Sequence, residues 1–177
     1  MGYQKLLVAF DGSEGSLKAL EHGIQYAEEN GAKLTVLSVV KGHKKTDDIP
    51  VRGNPNSTFM AAGNGMYQMA PKDVNARAER MEHVPRMTEE QKQERINAKG
   101  EEVLREAKKR LKEEGVLSET AVMEGDAAEE IDRYALSHEA DLIVIGHRGL
   151  SGLKKLVLGS VSQKVVEKAN CPVLVVK

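Results

Sequence analysis

Short apolar runs alternate along this chain with stretches in which apolar residues recur every three or four positions. The runs are residues 5–10, 33–40, 118–123, 141–146 and 173–176, the third being the weakest. Four to eight residues rich in Val, Ile and Leu between turn residues mark a strand buried on both faces. Between the runs, Leu17, Leu20, Ile24 and Ala27 hold helical spacing. So do Ile96, Val103, Ala107 and Leu111; Ile131, Tyr134, Ala135 and His138; and Val161, Val165 and Ala169. Those positions are predicted to face inward. Five strands alternating with four helices predict an open parallel α/β sheet with helices on both faces.

The ends of these elements carry their own signals. Gly31 after Asn30 predicts a glycine stop to the first helix. Thr88 and Gln91 have capping-box spacing, and Asp126 followed by Glu129 and Glu130 reads as an N-cap with an acidic first turn. Ser160 and Gln163 have the same capping-box spacing, which predicts a last helix capped by Ser160. Gly100 interrupts the second helix at a cost of up to about 1 kcal/mol relative to Ala, and is expected to permit close packing on the sheet. His138 reads as a helix-end residue. Pro172 opens the last strand and suits the first position of an edge strand.

The pattern fails between residues 41 and 87. Gly53-Asn54-Pro55-Asn56 and Gly63-Asn64-Gly65 are turn signals there, and a short helix over residues 76–81 is the one element suggested. Met60, Met66, Met69, Met81 and Met87 also lie in this stretch. Methionine packs adaptably against irregular surfaces. Residues 1–177 are therefore expected to form a single domain with a long insertion at about 41–87. The insertion emerges at the carboxyl end of the second strand, where it is expected to gate a ligand site or extend a dimer.

Candidate chemistry concentrates after two strand ends. The fourth strand runs into Gly146-His147-Arg148-Gly149, then Gly152, Lys154 and Lys155, then Gly159-Ser160 at the start of the last helix. Glycines let backbone N–H groups approach a phosphate, and a helix N-terminus adds donors and positive partial charge. The first strand ends in Asp11-Gly12-Ser13. If the two strands are neighbours, Asp11 faces the glycine loop. A carboxylate there binds a ribose hydroxyl or holds Mg²⁺ against phosphate oxygens; it also suits a turn that caps the first helix. The glycine spacing is neither the Walker pattern nor the dinucleotide fingerprint.

Composition narrows the classes. Charge is nearly balanced, with 26 basic and 27 acidic residues, so non-specific nucleic-acid binding is not expected. Trp is absent and aromatics are few, which disfavours a base-stacking surface. The single cysteine, Cys171, rules out an internal disulfide and a cysteine zinc site, and burial before the last strand is its expected role. No apolar run approaches membrane-spanning length and no signal-peptide pattern stands at the N-terminus, so a cytoplasmic protein without membrane contact is expected.

Several segments together resemble the universal stress protein family, in its ATP-binding subtype. They are the opening Leu7-Val8-Ala9-Phe10-Asp11-Gly12-Ser13, the Gly125-Asp126 turn, residues 141–149, Gly159-Ser160-Val161 and the closing Cys171-Pro172-Val173-Leu174-Val175-Val176. The resemblance implies an adenine nucleotide alpha hydrolase-like sheet of order 3-2-1-4-5, which would make the first and fourth strands neighbours. It implies bound ATP, or AMP or ADP, contacted by Ala9 and Asp11, with Val39 near the adenine. Gly146, Arg148, Gly149, Gly159, Ser160 and Val161 would surround ribose and phosphates. It also implies a homodimer through the last strand, 173–176, and a stress-response role in which nucleotide state modulates an unidentified protein partner. No residue has a fixed place as a catalytic base, so nucleotide binding with at most slow hydrolysis is expected. The alternatives are a slow ATP hydrolase or phosphate-transfer enzyme, and a dimerisation module that uses no nucleotide.

Overall fold

The computed structural model describes residues 2–42, 59–62, 65–68, 87–149 and 158–177. Its elements in chain order are β1 (Lys5–Ala9), α1 (Glu14–Asn30), β2 (Lys33–Val40), β3 (Phe59–Ala62) and β4 (Gly65–Gln68). They continue with α2 (Glu89–Glu114), β5 (Ser118–Glu124), α3 (Ala127–Ser137), β6 (Leu142–Gly146), α4 (Ser160–Lys168) and β7 (Val173–Val176). The chain divides into two units: Met1–Gly42 with Lys92–Lys177, and His43–Gln91.

The first unit is a five-stranded sheet of order β5-β2-β1-β6-β7. Every pairing in it is parallel. Counting only its own strands, the order is 3-2-1-4-5, as expected. Alternation along β1 explains how two layers of helix attach. Leu6 and Val8 join Leu20, Ile24, Leu104, Ala107 and Leu111 of α1 and α2 on one face. Leu7 and Ala9 join Ala128, Ile131, Ala135 and Val165 of α3 and α4 on the other. A strand apolar at every position can satisfy both layers at once. The helix layer changes face between β1 and β6, which are neighbours in register, with Ala9 opposite Ile145. Loops leaving the carboxyl ends of such a pair border the crevice where open α/β sheets bind ligands.

Most element ends follow their local signals. Gly31 ends α1 in the left-handed region at φ 67°. Asp126 caps α3, its side chain accepting from the N–H groups of Ala128 and Glu129. Gly100 is buried in α2, where a Cβ would collide with the methyls of Val122 on β5. The inward face of α2 is Ile96, Gly100, Leu104, Ala107 and Leu111. Val103 is only half-buried, and Leu104 takes the deep position. His138 is not inward: it is exposed at the C-cap of α3 and stacks on Tyr134, with ring centroids 3.8 Å apart.

The second unit contains an antiparallel pairing of β3 with β4, in register Phe59 to Gln68 and Ala62 to Gly65. The hydrophobic pattern did not predict this hairpin. Phe59 and Tyr67 favour strands, but Phe-Met-Ala-Ala and Gly-Met-Tyr-Gln are too short to display a period-two alternation. The capping box at the start of α2 forms as predicted: the Thr88 N–H donates to Gln91 Oε1 at 3.0 Å and the Gln91 N–H to Thr88 Oγ1 at 3.2 Å. The turn at residues 53–56, Gly63, Asn64, the short helix expected over 76–81, Met69, Met81 and the side chains of Met60 and Met66 lie outside the described residues. So do Gly152, Lys154 and Lys155.

Candidate functional site

The loop after β1 is a tight turn. Asp11 Oδ1 accepts the N–H of Ser13 at 3.0 Å, and Gly12 sits at φ 78°, where glycine has no steric penalty. Ser13, in extended conformation, is the cap of α1: its Oγ accepts the N–H of Ser16 at 3.2 Å. Asp11 is therefore a turn residue but not the helix cap. One of its oxygens is held by backbone, and the other, Oδ2, lies directly against Gly149, where a Cβ would collide with it.

The loop after β6 is pressed onto the first turn of α1. A Cβ on Gly146 would sit 2.5 Å from the Gly15 carbonyl carbon, and one on Gly15 would sit 2.5 Å from Arg148 O. Backbone meets backbone here with no room for a side chain. Three consecutive carbonyls of this loop are engaged. Gly146 O accepts from Ser162 Oγ at 2.7 Å, His147 O accepts from the Gly159 N–H at 2.7 Å, and Arg148 O accepts from Ser13 Oγ at 3.4 Å. The loop is tied to the edge strand as well, since the His147 N–H donates to Val176 O at 2.7 Å. His147 Nδ1 is buried and has no hydrogen-bond partner among the described residues.

The start of α4 corrects two expectations. Its N-cap is Gly159, at φ −63° and ψ 149°, with no side-chain cap hydrogen bond. Gly159 O accepts the Gln163 N–H at 2.8 Å, so Ser160 is already the first helical residue and the predicted capping box does not form. Ser160 is exposed. Val161 does not face inward; it is 37% exposed, and Ser162 takes the buried position. The hydroxyl goes inside because it meets the carbonyl of Gly146, whereas a buried polar group without such a partner is costly.

Of the residues singled out from sequence, Asp11, Gly146, Arg148, Gly149 and Gly159 belong to one cluster of contacts. Arg148 is half-buried, and Gly149 is exposed. Ser160 and Val161 follow Gly159 on the open first turn of α4. Ala9, 8% exposed, ends β1, and Val39, half-buried, stands next to last in β2; both pack in the layer beneath α3 and α4. Ser13, Gly15 and Ser162 also shape the loop. Ser13 had been noted only as part of the turn, and the other two carried no sequence signal beyond being small.

Burial pushes the Asp126 carboxyl up, but the N–H groups of Glu129 and Ala128 and the ammonium of Lys164, 3.6 Å away, outweigh it and hold it below the usual carboxylate range. Among the described residues no group of three or more His, Cys, Asp or Glu side chains is placed to hold a metal ion. Cys171 precedes β7, at the opposite end of the sheet from the glycine loop. Burial, helped by Asp141, raises its thiol above the ordinary value.

The model of the universal stress protein family matches residues 2–54 and 69–177. The chain belongs to that family. The universal stress protein from Thermus aquaticus is 40% identical over 175 residues, covering 99% of each chain. Universal stress protein YxiE of Bacillus subtilis is 33% identical over 175 residues, again covering 99% of each. Among solved structures, hypothetical protein MJ0577 superposes with a TM-score of 0.66 at 22% identity, over 100% of this chain and 97% of that one. A universal stress protein in complex with cAMP gives 0.57 at 24% identity, over 99% and 98%. The Archaeoglobus fulgidus universal stress protein in complex with dAMP gives 0.58 at 20% identity, over 100% of both chains. These structural likenesses are of fold. Among the described residues no helix of this family member is long and apolar enough to cross a membrane.

Proposed function

We propose that this universal stress protein binds ATP in the crevice bounded by Asp11, the 146–149 loop and the first turn of α4, and acts as a nucleotide-dependent regulator in the cytoplasm. The observation that carries the reading is the contact of Asp11 Oδ2 with Gly149 beside a helix start whose N-cap, Gly159, supplies no side-chain hydrogen bond. The first N–H groups of a helix have no intrahelical partner, and they carry partial positive charge. A phosphate is the ligand such a terminus favours. That relatives of the same fold hold cAMP and dAMP agrees with an adenine nucleotide here. In this reading Ala9 and Val39 line the base end, while Gly146, Arg148, Gly149, Gly159, Ser160 and Val161 surround ribose and phosphates. Asp11 takes a ribose hydroxyl, or Mg²⁺ where the ion accompanies the phosphates.

The working form in this reading is a homodimer joined along β7, with nucleotide state modulating a partner protein. β7 is an edge strand and Leu174 on it is 44% exposed, an invitation to pairing that a second copy would answer. The test is native mass spectrometry of the purified protein, followed by calorimetry with ATP, AMP and cAMP. The reading expects retained adenine nucleotide or saturable ATP binding, on a dimer. No saturable binding of any of the three at millimolar concentration would overturn it, and a monomer at high concentration would remove the dimer.

A further inference from the structure

We infer that the outer face of α1 and α2 is a contact surface for a second copy of this chain. In that contact a basic ridge on α2 of one protomer lies in the acidic groove between α1 and α2 of the other. The inference does not rest on the nucleotide reading. Both helices run back from the carboxyl ends of the strands to their amino ends, so their last turns stand side by side. Between them lies a groove of about 530 Å³ whose lining includes Ile24. A further hollow of about 330 Å³ continues past Gly31 and Gly115 to Leu117, which is 72% exposed. Glu28 and Glu114 line both.

The charges of this face are separated by sign. Elsewhere on the same helices they pair locally, Glu14 with Lys18 and Glu106 with Arg110, as helix spacing favours. Arg110 is committed to Glu21 as well. Glu28, Glu113 and Glu114 in the groove form no ion pair among the described residues. They also stand where a helix C-terminus, with its partial negative charge, favours cations, and α1 has no basic residue in its last turn. Beside the groove, Arg105, Lys109 and Lys112 share one face of α2 and are all exposed. They too form no ion pair among the described residues. An acidic groove beside a basic ridge makes a surface complementary to itself. Two-fold symmetry sets each ridge in the other's groove and makes every contact twice, and opposite potentials fix the register. A basic segment of another protein would fill the groove but leave the ridge unmatched.

The test is sedimentation equilibrium on the full chain and two variants. One is Arg105→Glu/Lys109→Glu/Lys112→Glu, the other Glu28→Lys/Glu113→Lys/Glu114→Lys; all six positions are exposed, and circular dichroism checks the fold. Pairing along β7 is left untouched by both, so the contact is read as association beyond that unit. If β7 does not pair, monomers still associate through this face, so the two readings fail separately. Wild type should associate at about 50 mM NaCl and come apart at about 500 mM, where exposed charges are screened. Each variant alone should weaken association at least about tenfold. An equimolar mixture of the two should restore it, because every ridge then meets a groove of opposite sign. Wild type that shows no such association at millimolar concentration, or association that ignores salt and both variants, would overturn the inference. So would a mixture that stays apart, which would assign the groove to a basic segment of another protein. If one variant does not fold, the other decides by the same loss, and unchanged association contradicts.

Discussion

The starts of α3 and α4 lie side by side and solve the same problem in opposite ways. Both helices pack on one face of the sheet, and Lys164 of α4 reaches Asp126 at the start of α3. At α3, Asp126 supplies a carboxylate that accepts from two N–H groups of the first turn. That helix brings its own anion. At α4, Gly159 stands in the corresponding place with no side chain to offer, and no side-chain hydrogen bond caps the turn. A first turn with glycine at the cap is less stable by only roughly a few tenths of a kcal/mol than one with a side-chain cap, and it keeps the donors that a side chain would have taken available. The other helix starts follow the first pattern: Ser13 caps α1 and Thr88 caps α2. The contrast separates a turn built for stability from one left open for an external anion.

The strongest way to break the contrast is to give α4 the anion α3 already has. Gly159→Asp should lower ATP affinity by at least about a hundredfold, because the new carboxylate takes the donors and repels phosphate. A Cβ there would lie 3.2 Å from His147 O and 3.3 Å from Arg148 Cα, tight but not prohibitive. Circular dichroism should report a folded protein; unchanged ATP affinity in that protein would contradict the account. Ser160→Ala is next in size. A hydrogen bond from its hydroxyl to a charged phosphate is worth about 1.5–3 kcal/mol, so affinity should fall roughly tenfold to a hundredfold. Since Ser160 is not the cap, the melting temperature should stay where it is. A lowered melting temperature with intact affinity would reverse that assignment.

Asp126→Ala tests the other side. It should cost about 1 kcal/mol of stability by denaturant titration and leave ATP affinity unmoved; loss of nucleotide binding would show that the two turns are not independent. The smallest effect is in pH. The folded state holds the Asp126 carboxyl below its ordinary value of 3.8, so its charge contributes stability that is present above that value. That contribution is lost as pH falls through the lower folded value. The stability gap between wild type and Asp126→Asn should therefore narrow as pH drops below 3.8. A gap that widens on acidification would mean the carboxyl is not held down.

The same contrast explains what could be read in the sequence. Asp126 declared itself as a cap because an acid before an acidic first turn has few other uses. The sheet was equally legible, because β1, β2 and β6 are short runs of apolar residues and parallel strands buried on both faces demand that pattern. The start of α4 was misread by one residue. Ser160 and Gln163 have the right spacing, but the cap position is set by Gly159, whose N–H is already committed to His147 O. Val161 was expected inside because it stands four residues before Val165. Ser162 displaced it because of a carbonyl contributed by β6, sixteen residues earlier in the chain. A local pattern cannot register a partner that only the tertiary fold brings near. The β3–β4 hairpin was missed for a different reason: at four residues per strand, there is too little alternation to read.

The most direct measurement is an ATP titration of the ¹⁵N-labelled protein followed by NMR at two sets of backbone amides. The account predicts that Ser160, Val161 and Ser162, on the open first turn of α4, shift in proportion to nucleotide bound. It predicts that Ala128 and Glu129, whose N–H groups are held by Asp126, stay in place. Amides of α4 that do not move while ATP binds elsewhere, or equal movement in both turns, would contradict it.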